Sequence, residues 1–397
     1  MSSLSPEKKS NTVDEENDVS LPEDQMLEVL TRVPLDDLAA CRVVSTRWRS
    51  ITYEPAFTPL HCRRTGTVSG YFLQSMLRDH YRAAFVSMND ASSPAAPAIS
   101  LDFLPSTNVR IEAVAAHRGL AFCVGLDTPR RPCYYVCKPA TRQWRAIPNP
   151  RTRFHTAAMA MAARPSSDAA VKAEFKIVRF SIPKRLHDML HCEVFDSRRF
   201  AWRRAPDVPI VSLPSSTPAV RAHGAMHWLR LGAQDVFAFD LESEAWRLIA
   251  LPQELDETRY HWACKQLSAV AGRLCLLVTT TETEEVGEVL EVWEMASYVE
   301  GRWDKKMTVS LKSLREQEGT MILRHLYSSD VGFLYSFYRA MWYDFRRWKK
   351  AAEVKMDRMC IQQVFKFKSD MIPCKIGNGK ACHPPAACPP SKEGVQR

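Results

Sequence analysis

Apolar residues between positions 22 and 52 recur at helical spacing. Met26, Val29, Leu30 and Val33 follow the 3.6-residue period of a helix. Pro22 suits the first helical position, where its missing N–H costs nothing. Glu23 and Asp24 then occupy the first turn, at the positive end of the helix dipole. Pro34 stops this helix, because it lacks a donor and its ring clashes with the preceding turn. Leu35 and Leu38 open a second short helix with Asp36 and Asp37 in its first turn, and Val43, Val44, Trp48 and Ile51 supply the apolar side of a third. A unit of about 40 residues sits near the size at which a lone core is marginal. Leu21, Pro22, Leu27, Leu30, Val33, Leu35, Leu38, Val44 and Trp48 are more apolar side chains than it can bury by itself. Covering the surplus with a partner, at about 25 cal/mol per Å², would drive association.

Further along, the pattern changes period. From about Val109, short β-branched and aromatic runs alternate with turns, as strands do. Examples are Cys133–Cys137, Phe175–Phe180, Cys192–Phe195, Val236–Phe239, Leu274–Val278 and Val289–Trp293. One phrase recurs in degenerate form: a strand, a polar turn, then Trp and often Pro. It spans 134–148 with Trp144, 192–206 with Trp202 and 236–252 with Trp246, and a looser copy at 292–311 carries Trp303. A second phrase, a Gly turn followed by an apolar strand, occupies 117–124, 223–229 and 271–278. Glycine tolerates the positive φ of tight hairpins. The tryptophans recur roughly every 45–60 residues, within reach of a propeller-blade period. A single sheet cannot bury both faces, and stacking several around an axis solves this. A β-sandwich is the competing architecture.

Composition adds limits. The 397 residues leave room for two or more domains. An apolar share of 46% and a charged share of 25% are ordinary for a globular chain. The expected fold class is α+β multidomain: a three-helix N-terminal unit, then an all-β, propeller-like domain. The expected boundaries are a disordered acidic tail at 1–19, the helical unit at 20–60, a linker and the start of the β domain at 61–108, the β domain at 109–368, and a disordered Pro-, Gly- and Lys-rich tail at 369–397. Residues 91–98, small and Pro-rich, read as a loop. The N-terminus lacks the apolar core of a secretory signal, and no run of about 18 apolar residues predicts a membrane helix. The 12 cysteines are then expected as thiols in the cytoplasm or nucleus. A net charge of +9 without a dense Lys/Arg block gives a nucleic-acid partner little support.

The stretch LPEDQMLEVLTRVPLDDL (21–38) and its continuation CRVVSTRWR (41–49) resemble an F-box along nearly the whole motif, in order and without a gap. A chance three-helix unit would not combine the Leu-Pro, Pro-Leu-Asp-Asp-Leu, Cys-Arg-x-Val and Trp-Arg elements. The phrases CKPATRQWRAIPNP (137–150), HGAMHWL (223–229), FDLESEAWRLIALP (239–252), GRLCLLV (272–278) and LEVWEM (290–295) are similar to the F-box-associated domain of plant F-box proteins. Blade-like phrasing fades at 313–342, which leaves the last sheet and the closure open.

The resemblance implies a non-catalytic, substrate-recruiting subunit of an SCF-type (Skp-cullin-F-box) ubiquitin ligase. Such proteins bind a Skp-type adaptor and, through it, a cullin and a RING protein. Adaptor-binding residues would come from Leu21, Pro22, Leu27, Leu30, Val33, Pro34, Leu35, Leu38, Val44 and Trp48, with Leu21, Pro22 and Leu35 at the contact. The β domain would hold an unidentified target protein. A cullin-independent scaffold or regulator using the β domain is the alternative. No cofactor, metal or membrane partner is implied.

Other chemistry-bearing residues favour structural roles. Cys374, Cys382, His383 and Cys388 lack the paired spacing of a zinc site, and no second pair lies near Cys133 and Cys137. His117, His223 and His227 sit in strand-turn phrases, and His227 beside Trp228 reads as a packed hairpin residue rather than a general base. The sequence holds no G-x-S-x-G, P-loop or H-E-x-x-H pattern. Trp144, Trp202, Trp246 and Trp303 read as blade core. Tyr338–Lys350 mixes the basic and aromatic types that engage single-stranded nucleic acid, and equally reads as an outer strand with a basic turn.

Overall fold

Paired residues at positive φ turn much of the chain into consecutive hairpins. Arg78–Asp79, His223–Gly224 and Ala271–Gly272 each place two successive residues there, the geometry whose twist matches that of the flanking strands. A computed structural model describes residues 21–376, apart from 35–36, 53, 55, 89–98, 117, 129–131, 165–171, 184–188, 210–212, 214–216, 231, 233, 257–259, 261–263, 282–286 and 372–373.

The helices α1 (Glu23–Leu30), α2 (Leu38–Val44), α3 (Thr46–Ile51) and α4 (Phe57–Thr65) come first, followed by β1 (Val68–Leu77) and β2 (His80–Val86). Five antiparallel meanders follow. The first holds β3 (Val109–Ala115), β4 (Leu120–Gly125), β5 (Cys133–Lys138) and β6 (Gln143–Ile147). The second holds β7 (His155–Arg164), β8 (Lys172–Ile182), β9 (His191–Asp196) and β10 (Ala201–Arg204). The third holds β11 (Val220–Ala222), β12 (Ala225–Leu229), β13 (Asp235–Phe239) and β14 (Trp246–Ala250). The fourth holds β15 (Cys264–Val270), β16 (Arg273–Thr281), β17 (Glu288–Ser297) and β18 (Arg302–Ser310). After α5 (Lys312–Glu318), the fifth holds β19 (Ile322–Leu326), β20 (Val331–Tyr335), β21 (Arg339–Asp344) and β22 (Lys349–Lys355). Finally β23 (Ile361–Ser369) returns to pair with β1, giving the sheet β2-β1-β23, and β24 (Lys375–Ile376) joins β8 in parallel.

Among the described residues these form six blades of a β-propeller, closed by pairing the two ends of the β region. An apolar cluster lies between each pair of successive blades. Phe180, Trp228 and Phe237, for example, join the second and third meanders. The inner strands β3, β7, β11, β15, β19 and β23 line the axis and run the same way along it. We call the face where they begin upper and the face where they end lower.

The two recurrent phrases now have a geometry. Arg142, Phe200, Glu244 and Gly301 have positive φ, each two residues before the Trp of its phrase. That Trp opens or nearly opens the outer strand of a blade. Trp202 Nε1 donates to Pro148 O at 2.7 Å and Trp303 Nε1 to Ala250 O at 2.9 Å, tying each blade to the one before. Trp202 is buried, but Trp246 is 39% exposed, so it covers the rim of its blade rather than filling the core. His227 is a packed hairpin residue: Nδ1 meets Val220 O at 3.1 Å and Nε2 meets the Tyr298 hydroxyl at 2.9 Å.

Two boundaries differ from the sequence reading and a third falls within it. Val43 and Val44 end α2, and the third helix starts only after Ser45, whose hydroxyl accepts from Trp48 N. The propeller begins at β1, inside the 61–108 stretch expected to hold the start of the β domain, and that strand receives β23. The C-terminal tail is ordered past Ser369. Cys374 N donates to Gln143 Oε1 at 2.9 Å and Arg145 Nη1 to Ile376 O at 3.0 Å, so the chain straps the lower face. Where blade-like phrasing fades, at 313–342, the fifth meander is complete. The expected tail at 1–19, the part of the expected 369–397 tail beyond residue 376, the loop at 91–98, and Leu35, His117, Cys382, His383 and Cys388 lie outside the described residues.

Candidate functional site

Two surfaces, on opposite faces of the propeller, carry candidate chemistry. The first is the helical unit on the lower face. Met26, Leu30, Leu38, Ile51 and Phe57 form its small core, with Leu27, Val33, Cys41 and Trp48 packed around them. Leu30 and Leu38 are 1% exposed, so they support the surface and do not present it. Leu21, Val29, Val43 and Val44 stand 48%, 56%, 86% and 73% exposed. Pro22 and Pro34 are also exposed. Val29 and Val43 were not picked out as contact residues by sequence reasoning. Spacing did not separate them: Met26, Val29, Leu30 and Val33 share one i, i+3, i+4, i+7 stripe, and packing buries Leu30 while leaving Val29 exposed.

The unit is braced by α4, which leads into the propeller. His61 Nε2 lies 2.8 Å from Val33 O, and Arg64 pairs with Glu28 at 2.6 Å. Burial, with Lys368 nearby, pulls the His61 pKa down to about 4, so near neutral pH the ring is uncharged and Nε2–H donates. Arg49 Nη2 donates to Ala271 O in the β15–β16 turn at 2.9 Å, fixing α3 on the propeller.

The second surface is a cavity of about 1130 Å³ on the upper face, lined by the starts of β3, β7 and β23 and by the segment before β7. Its base is built from two ion pairs, one fully buried and one half-buried. Arg179 and Glu193 face each other across β8 and β9, with Nη1 to Oε2 at 2.7 Å. Glu193 also accepts from Arg151 N at 2.9 Å and Thr152 N at 3.1 Å, while Arg179 Nε donates to Thr156 Oγ1 at 2.9 Å. Arg110 Nε donates to Glu112 Oε1 at 2.6 Å. Burial raises the Glu112 pKa, and Arg110 opposes that shift. In the sequence Arg179 of FKIVRF and Glu193 of CEVF are opposite charges set inside apolar runs, and the strand register pairs them. Ile322, Phe337 and Tyr338 are exposed on the same face. Among the described residues no cluster of His, Cys, Asp and Glu has the makings of a metal site, and no helix is long and apolar enough to cross a membrane.

A short helical F-box region on a six-bladed propeller defines an F-box protein of the propeller class. Residues 84–351 match the family model described as "F-box protein At3g26010-like, beta-propeller", and residues 19–58 match "F-box-like". The chain belongs to that propeller family. Among its relatives in Arabidopsis thaliana, F-box protein At5g49610 is 25% identical over 325 residues, covering 76% of this chain and 82% of the relative. F-box protein At5g41720 is 36% identical over 166 residues, covering 40% of this chain and 84% of the relative. F-box protein At5g07610 is 23% identical, covering 77% and 74%. F-box proteins are typically substrate adaptors rather than enzymes, and an F-box generally binds a Skp-type adaptor.

Proposed function

We propose that the chain recruits a target protein to an SCF-type ubiquitin ligase. The F-box docks a Skp-type adaptor, which bridges to a cullin and a RING protein, and the upper face of the propeller holds the target. The observation that carries this reading is the exposed apolar set Leu21, Val29, Val43 and Val44 on a small helical unit fastened to the lower face. Apolar side chains so exposed, on a unit with so small a core, favour burial against a partner. Catalysis of ubiquitin transfer belongs to the ligase core. This chain contributes proximity, raising the effective concentration of target lysines. The opposed positions of the F-box and the cavity leave both free to be occupied together.

The test is co-purification of a recombinant Skp-type adaptor with the full chain and with a V43D/V44D variant. Both valines are exposed, so the variant should fold and its propeller should melt unchanged. Adaptor recovery should fall by about tenfold or more, as expected when charge is placed in a desolvated apolar contact. Undiminished recovery would refute the proposed docking face.

A further inference from the structure

Among the described residues, the upper cavity has a charge imbalance that its own acids do not neutralise. Its acids are already matched: Glu112 to Arg110, and Glu193 beneath it to Arg179. Arg151 and Arg153 line the same cavity, stand exposed, and make no side-chain hydrogen bond or ion pair with any described residue. Their backbone is nevertheless held firmly. Glu193 accepts from the N–H groups of Arg151 and Thr152 and from the Thr152 hydroxyl at 2.8 Å, and Arg179 Nη1 donates to Thr152 O at 3.3 Å. Alternate exposure along 151–155 puts Arg151, Arg153 and His155 on one side of an extended segment. The buried pair thus orders a rim that carries two unengaged guanidinium forks.

From this arrangement we infer that the cavity recognises an anionic peptide segment, with Arg151 and Arg153 pairing to its carboxylate or phosphate groups. This deepens the target-recruiting reading and rests on it only for the peptide's origin. Guanidinium forks match the planar geometry of carboxylates and the oxygens of phosphate, and the charge-assisted bonds so formed are the strong ones. The volume exceeds what a drug-sized ligand needs and suits several residues of extended chain. A nucleic-acid strand fits less well, because it needs open aromatic faces for base stacking. The aromatic rings here are engaged: Arg110 lies 5.5 Å over Tyr81, Tyr134 stacks on Phe122 at 5.8 Å, and Phe154 meets His191 edge-on at 5.7 Å.

The test passes pooled random short peptides, with a fixed central serine, phosphoserine or glutamate pair, over the immobilised full-length chain. A single-stranded oligouridylate RNA serves as the competing probe. The phosphoserine pool, the glutamate pool or both should be retained over the serine pool, and enriched peptides should bind about tenfold or more weakly to R151A/R153A, with R302A, on the outer strand β18, unchanged. R151K/R153K, which keeps the charges but not the forks, should fall between wild type and R151A/R153A. Equal retention of the three pools, wild-type affinity in R151A/R153A, or tighter binding of the RNA than of any peptide would overturn the inference. Adaptor co-purification by R151A/R153A separates the two readings. Lost peptide selectivity with adaptor retained is the result expected if the cavity reads anions. Peptide selectivity without any adaptor binding by the wild-type chain would remove the ligase reading and leave the cavity's.

Discussion

Burial sets how the enclosed histidines titrate. His325 stacks on Tyr71 at 5.7 Å, and burial beside Arg324 and Lys366 lowers its pKa to about 3. His227 is lowered to about 4, again chiefly by burial. A folded-state pKa below the unfolded value means that the unfolded chain binds more protons across the interval between them. Stability therefore rises with pH through that window and is lost as pH falls below about 6.5. Urea unfolding at several values between about pH 4 and pH 7 should show this slope, and H325F, which keeps the ring contact but cannot titrate, should flatten it. A slope identical in H325F would exclude His325 as a source. The same scale shows why the cavity was hard to read from sequence. Arg179 and Glu193 are separated by a hairpin, and only strand register makes them partners.

At the level of elements, the helical unit was legible because Pro22, Glu23, Asp24 and Pro34 are local signals that act within one turn. Its division into inner and outer residues was less so, since Leu30 and Val29 are adjacent and only packing sends one to the core. The short strand β24 left no pattern of its own. Two residues cannot show a period, and it exists because Arg145 and Gln143 supply bonds from another blade. Removing residues 371–397 should therefore lower the melting temperature without abolishing folding, by about 2–4 °C per kcal/mol of lost contacts. Differential scanning calorimetry checks this, and an unchanged transition would mean that the strap is energetically idle.

For the molecule as a whole, closure depends on a pairing across nearly the full length of the β region. Phe72 faces Phe365 in the β1–β23 ladder, and Phe72 and Phe367 meet edge-on at 5.0 Å. A chain ending at residue 360 would leave β1 and β2 as a lone hairpin, marginal by itself, and open the ring between the fifth meander and the first. Loss of a single cooperative unfolding transition is expected, together with raised binding of a hydrophobic dye. A sharp, native-like transition in that truncated chain would show that the ring does not need its closing strand.

The sequence alone determined the repeated strand-turn-Trp units, the N-terminal helical module and its surplus of apolar residues, because each rests on interactions between near neighbours. Only the tertiary structure decided which strand closes the ring, which valines face outward, and that two arginines line a cavity unpaired with any acid among the described residues. Those outcomes depend on register and packing between separate segments, from neighbouring helices in the N-terminal unit to the two ends of the β region, where no local pattern carries the information.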